Sequence, residues 1–166
     1  MTDTTARLAL PLLAAGQAEK ELFHNEALAR IDIALAPVAE TRGDAAPPTD
    51  PRPGQCWIVG EGATGAWAGQ DQGLAGWTGD GWRFVAPTPG MLAWSAAEGV
   101  FARFDGARWQ AGEIAAKRLM VDGEQVVGAR QPAIAAASGG TVIDTEARTA
   151  ISAILATLSA HGLIEA

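Results

Sequence analysis

Tyrosine is absent from the 166 residues and phenylalanine occurs four times, so six tryptophans carry most of the aromatic surface. Large anchors for a core are therefore few. The single cysteine, Cys56, excludes an internal disulfide and any metal site built from several thiolates. Basic residues number 12 against 19 acidic, Lys20 and Lys117 are the lysines, and the net charge is −7. Nucleic acid is not expected as a partner, because neutralising phosphates requires clustered Lys and Arg. No apolar run approaches the roughly 20 residues that span a bilayer. Residues 8–15 form a short apolar stretch flanked by Arg7 alone, a poor n-region, so neither membrane insertion nor a cleaved leader is expected. What is present, 48% apolar and 19% charged residues, suffices for a packed core and argues against wholesale disorder. The length suits one domain, with or without additional terminal elements.

Residues 1–40 read as a helical attachment arm that begins with a frayed end over 1–5. The stretch 14–36 is rich in Ala, Leu and Glu and has no internal proline, which favours helix. Leu28, Ile31 and Leu35 fall at i, i+3 and i+7 on one face, with His24 one turn earlier. Asn25 offers an alternative cap for a shorter helix, and Pro37 closes either version. Residues 41–53, rich in proline, read as a linker of extended backbone.

Residues 54–112 change character, with Gly and Trp recurring between short apolar runs that suggest several short strands. The region resembles itself. Residues 51–57 match 87–93 at an offset of 36, and residues 74–79 with Trp82 match 101–106 with Trp109 at an offset of 27. The difference falls in the glycine-rich insertion 60–69. Each unit reads as an entry strand after Pro-x-Pro-Gly, a loop, and a hairpin turning at Gly79-Asp80-Gly81 or Asp105-Gly106. Two such units predict a small antiparallel barrel or sandwich.

Residues 113–143 hold a hairpin and a loop. In 118–130 two β-rich runs flank Asp122-Gly123, a pair that tolerates the positive φ of a type I′ turn. Over 144–166, Asp144 can cap a helix with Glu146 near its positive end, and Gly162 supplies a left-handed stop. Ala147, Ile151, Ile154, Leu155 and Leu158 form its apolar stripe. A helix of about 16 residues is marginal alone in water, so this stripe must pack on something. Ile151, Ile154, Leu155 and Leu158 are the candidate oligomerisation residues. The predicted class is α+β, a β module between an N-terminal helical arm and a C-terminal amphipathic helix.

No chemistry-bearing constellation is complete. Gly60-Glu61-Gly62-Ala63-Thr64-Gly65 fits G-x-G-x-x-G, but dinucleotide binding needs a helix opening at the third glycine, and residues 66–73 are poor in helix formers. A hairpin loop is the better reading. Nucleophilic catalysis requires Cys56 or a serine aligned with a histidine and a carboxylate, yet His24 and His161 lie in different helical segments. No His-x-x-x-His or carboxylate-rich loop suggests a metal. An enzyme is not expected, nor any cofactor. The tryptophans remain, since exposed indoles stack on sugar rings. Trp77, Trp82, Phe104 and Trp109 recur at i, i+5 as framework positions, whereas Trp67 lacks a counterpart in the second unit and is the glycan-binding candidate.

Leu10-Pro11-Leu12 with Gln17-Ala18-Glu19-Lys20-Glu21 and Asn25-Glu26-Ala27-Leu28, then Pro53-Gly54-Gln55-Cys56-Trp57-Ile58-Val59-Gly60 and Ala63-Thr64-Gly65-Ala66-Trp67-Ala68-Gly69, resemble a family of domains of unknown function. That family occurs in tailed-phage structural proteins and in gene transfer agents of alphaproteobacteria. The resemblance covers residues 8–112, and the segment from Val126 to Ile164 is similar to a C-terminal segment of such virion appendages. It implies a component of a phage-like particle, a head spike or fibre attachment. Such a protein would be made in the bacterial cytoplasm and displayed on the particle, where it docks on capsid or fibre proteins, forms a homo-oligomer and contacts host surface polysaccharide. Leu28, Ile31 and Leu35 become the candidate virion-docking residues.

Overall fold

The computed structural model describes residues 4–14, 16, 20–142 and 144–165. The chain divides into two compact units, residues 1–113 and 114–166. Both contain helix and strand, so the α+β class holds.

In the first unit, helix α1 (Lys20–Ala34) precedes strands β1 (Val38–Asp44), β2 (Cys56–Val59), β3 (Leu74–Trp77), β4 (Trp82–Val85), β5 (Leu92–Ser95), β6 (Val100–Phe104) and β7 (Trp109–Ala111). They form one sheet in the order β4-β3-β2-β1-β5-β6-β7. β1 is central and runs parallel to both β2 and β5, while all other pairs are antiparallel. Of the expected barrel or sandwich, the closed barrel is not formed: β4 and β7 stand at opposite ends of the order. The reason is β1, which joins the two meanders edge to edge in one layer. The sheet still coils enough for Trp109 Nε1 on β7 to donate to the carbonyl of Gln72, ahead of β3, at 2.8 Å.

β1 overturns the reading of 41–53 as a linker from its first residue. Only the remainder of that stretch is a connection, and a parallel pair needs a crossover of about that length. It is pinned where Thr64 N donates to Ala45 O at 2.7 Å. Gly60 lies so close to β1 that an added Cβ would sit 2.1 Å from Gly43 O, which makes the glycine obligatory there. Polar strand residues and a glycine hid β1 from pattern reading.

The two meanders share backbone details. Gly54 N donates to Trp77 O and Gly90 N to Phe104 O, each at 2.8 Å. Trp77 N donates to Gln55 O at 3.0 Å and Phe104 N to Met91 O at 2.9 Å. Gly79 packs on Pro53, and Gly106 on Pro89.

Strand alternation sends side chains to opposite faces. Cys56, Ile58, Leu74, Ala93, Ala102, Phe104 and Trp109 build one core with Ile33 of α1. Trp57, Val59, Trp67 and Ala75 build the second, on which Trp77, Trp82 and Phe84 pack. The 1–40 segment is thus not a free arm, because α1 lies on β3 and β4. Ile33 fills the space above Gly76, where an added Cβ would come within 2.4 Å of Ile33 Cγ1.

The second unit holds β8 (Leu119–Val121), β9 (Glu124–Val127) and α2 (Thr145–Ala160). The hairpin turns through Asp122 at φ 49° and Gly123 at φ 81°, the paired positive values that a type I′ turn demands. Asp144 caps α2, its carboxylate accepting from Ala147 N at 2.8 Å. A parallel bridge between Gln131 and Ile164 ties the chain end back.

Candidate functional site

A cleft of about 530 Å³ in the first unit lies between residues 4–7, α1 and the β3–β4 hairpin. Several of its polar groups are engaged with one another. The buried Asp32 carboxylate accepts from Thr5 Oγ1 at 2.8 Å, Arg7 N at 3.0 Å and Leu8 N at 2.7 Å. Arg7 in turn donates to carbonyls at the end of α1, those of Asp32 and Ala36 among them. A cation at a helix C-terminus meets the orphan carbonyls and the negative end of the dipole. Asn25 exchanges two hydrogen bonds with the backbone of Leu13, at 2.9 and 3.0 Å, and Arg83 Nε reaches Glu26 at 2.6 Å. These groups clasp the leading segment onto the helix. Thr5 is buried in that clasp, so residue 5 is not frayed, while residues 1–3 lie outside the described residues.

The catalytic possibilities stay apart. His24 and His161 are exposed on separate units, and Cys56 is buried in the first core, where burial pushes its thiol up to about 12. A thiol held neutral is a poor nucleophile. The glycine motif leads into a three-residue 3-10 helix, Gly65–Trp67, and then an antiparallel strand, rather than a phosphate-binding helix. Its loop is organised by Asp71, whose carboxylate accepts from Gly62 N and Ala63 N, each at 2.9 Å. Those two bonds hold the carboxyl below its ordinary range. Among the described residues no group of three or more His, Cys, Asp or Glu is placed to hold a metal ion. None of the described helices is long and apolar enough to cross a membrane.

Trp67 is not the exposed indole expected of it. The short helix turns its ring inward to 0% exposure, 5.3 Å from Trp82 and 6.1 Å from Trp57 between ring centroids. Its stacking face is covered by other tryptophans. The aromatic surface lies elsewhere: Phe101 is exposed and packs edge-on against the half-buried Trp94 at 5.0 Å.

The apolar candidates on the helices sit at the surface. On α1, Leu28 is half-buried, and Ile31, with Leu35 just beyond the helix, is exposed, while Ile33 and Asp32 take the inward face. Periodicity favoured the outer stripe, and the cue to the inner one was the small Gly76 opposite. On α2, Ile151 and Ile154 are exposed and Leu155 and Leu158 half-buried. Leu119, Met120, Val121, Val126 and Val127 of the β8–β9 hairpin are exposed as well. Among the described residues, Ile164 is the buried apolar residue of this unit.

The family described as "Protein of unknown function (DUF2793)" matches residues 24–110. The match spans most of α1, β1 to β6 and β7 as far as Gln110, and stops before the second unit. No curated protein matches the chain.

Proposed function

This chain belongs to the DUF2793 family, matched over more than half its length, and from that premise we propose that it is a non-enzymatic structural component of a phage-like particle. In this reading it is a head spike or fibre attachment of a gene transfer agent, synthesised in the bacterial cytoplasm and assembled as a homo-oligomer onto capsid or fibre proteins. The observation that carries the proposal is the second unit. Its hairpin leaves Leu119, Met120, Val121, Val126 and Val127 exposed, and its helix leaves Ile151 and Ile154 exposed beside the half-buried Leu155 and Leu158. An isolated two-stranded hairpin is marginal, and so is a lone helix of this length. Such a segment gains its order by being covered, as an attachment element is. The outer stripe of α1 at Leu28, Ile31 and Leu35 supplies a second apolar surface for docking on the virion.

The two meanders are, in this proposal, degenerate copies of one unit. The matched hydrogen bonds at Gly54 and Gly90, and the i, i+5 ring pairs Trp77–Trp82 at 5.1 Å and Phe104–Trp109 at 5.5 Å, support the duplication. Contact with host polysaccharide falls to Trp94 and Phe101 rather than Trp67, because an exposed aromatic edge is what a sugar ring can reach.

Density-gradient fractionation of particles from the encoding bacterium tests the assignment. The tagged protein is expected to sediment with the particles and to be located on them by electron microscopy. A protein found wholly in the particle-free fraction refutes it. Binding of capsular polysaccharide that Trp94→Ala abolishes without unfolding would support the glycan contact, and unchanged binding would refute its location.

A further inference from the structure

The large apolar side chains of α2 follow coiled-coil spacing. Ala147, Ile151, Ile154 and Leu158 are separated by four, three and four residues, which places Ile151 and Leu158 at a and Ala147 and Ile154 at d of one heptad frame. Ala150 falls at g and Leu155 at e, and from residue 150 to 158 no a, d, e or g position carries a charge. The charges that flank this stretch are engaged within their own unit, Asp144 at a capping the helix through Ala147 N and Arg148 at e donating to the carbonyls of Ala137 and Gly139, so between residues 150 and 158 no charge repels a like helix or specifies an unlike one. Ile151 and Ile154 remain 43% and 58% exposed within their own unit.

We propose that α2 packs against the α2 helices of two further copies of this chain, forming a parallel three-stranded coiled coil along Ile151, Ile154 and Leu158. The inference rests on the homo-oligomer reading above and gives it a seam and a copy number. Two-stranded coils favour a β-branched residue at a with Leu at d, whereas Ile at d shifts the preference to three or four strands. Leu155 at e widens the apolar stripe, as bundles of more than two helices use. Ala147 at the first d position narrows the bundle there, which suits three helices better than the wider four. Closed rotational symmetry makes the three helices parallel.

Native mass spectrometry of the full chain at micromolar concentration reads the copy number directly. The expected mass is three times the 17.1 kDa of the chain. A monomer, dimer or tetramer overturns the proposal. Ile154→Leu restores the two-stranded pattern at d and is expected to move the distribution from trimer to dimer. A trimer unaffected by that change overturns the assignment of the seam. Ile151→Asp is expected to give a monomer that keeps native tryptophan fluorescence, because every tryptophan lies in the first unit. A surviving Ile151→Asp trimer counts against the seam as well. Ala156→Gln, at the outward f position, is expected to leave the trimer intact. The two readings fail separately: a trimer that ignores particles refutes the virion role alone, and a particle-bound monomer refutes the coiled coil alone.

Discussion

Replacing Trp67 distinguishes a framework role from a binding role. A fully buried Trp removes about 150–250 Å² from water. At about 25 cal/mol per Å² this corresponds to about 4–6 kcal/mol as an upper figure, and measured Trp→Ala costs run at about 3–5 kcal/mol. The tilted contact with Trp57 and the edge-on contact with Trp82 are lost with the ring. Trp67→Ala is therefore expected to remove much of a stability that totals about 5–15 kcal/mol for a typical domain. Trp67→Phe should behave differently. The indole Nε1 is buried and finds no acceptor among the described residues, and an unpaired buried donor costs about 1–3 kcal/mol. Phenylalanine gives up some volume but removes that donor, so the two effects offset and the loss should be at least about 2 kcal/mol smaller than for alanine. Urea denaturation followed by fluorescence of the remaining tryptophans and by circular dichroism measures both. An alanine variant within about 1 kcal/mol of the parent, or a phenylalanine variant as costly as alanine, would refute the packing argument. Any loss of glycan affinity in Trp67→Ala would then report unfolding, whereas the phenylalanine variant keeps the fold.

Gly76→Ala should cost about 1–3 kcal/mol by overpacking against Ile33, and less in an Ile33→Ala background; additive costs in a double-mutant cycle would show that the two residues do not meet. Cys56 should resist maleimide at pH 8 in the native protein and react once denatured, since burial holds its thiol up to about 12; native-state labelling contradicts the burial. The same raised value stabilises the fold fully below the unfolded thiol's pKa of about 8.5 and less and less as pH climbs from there toward about 12, so Cys56→Ala should flatten the alkaline limb of a stability-against-pH curve. Asp71 should titrate below the ordinary aspartate range in a carboxyl NMR titration, its contribution present above the unfolded value of about 3.9 and lost as pH falls through the lower folded one; a titration at or above the ordinary value removes the role assigned to its two amide bonds.

Elements defined by local chemistry could be read from the sequence, whereas those defined by their neighbours could not. The β8–β9 turn is dictated by Asp122-Gly123, and the start of α2 by the carboxylate of Asp144. β1 has no such signature. Its Glu40, Gly43 and Asp44 are residue types depleted in strands, and it is a strand because β2 and β5 flank it on both sides. Trp67 looked exposed because glycines surround it, yet those glycines are what let a short helix turn the ring inward. The clasp of Arg7 and Asp32 joins residues 25 apart, and nothing in either neighbourhood announces the other. The heptad of α2 was visible as a stripe; its exposure, which turns a stripe into a seam, became apparent only with the fold.

The position of β1 also has a consequence for biosynthesis. While the ribosome has delivered only the first meander, β1 can pair with β2, but its opposite margin stays bare until residues 92–95 emerge. Unsatisfied strand margins recruit whatever extended backbone is near. In a crowded polysome the β5–β7 portion of a neighbouring nascent chain is such a segment, so the rate at which translation passes residue 95 governs how much of the product mispairs.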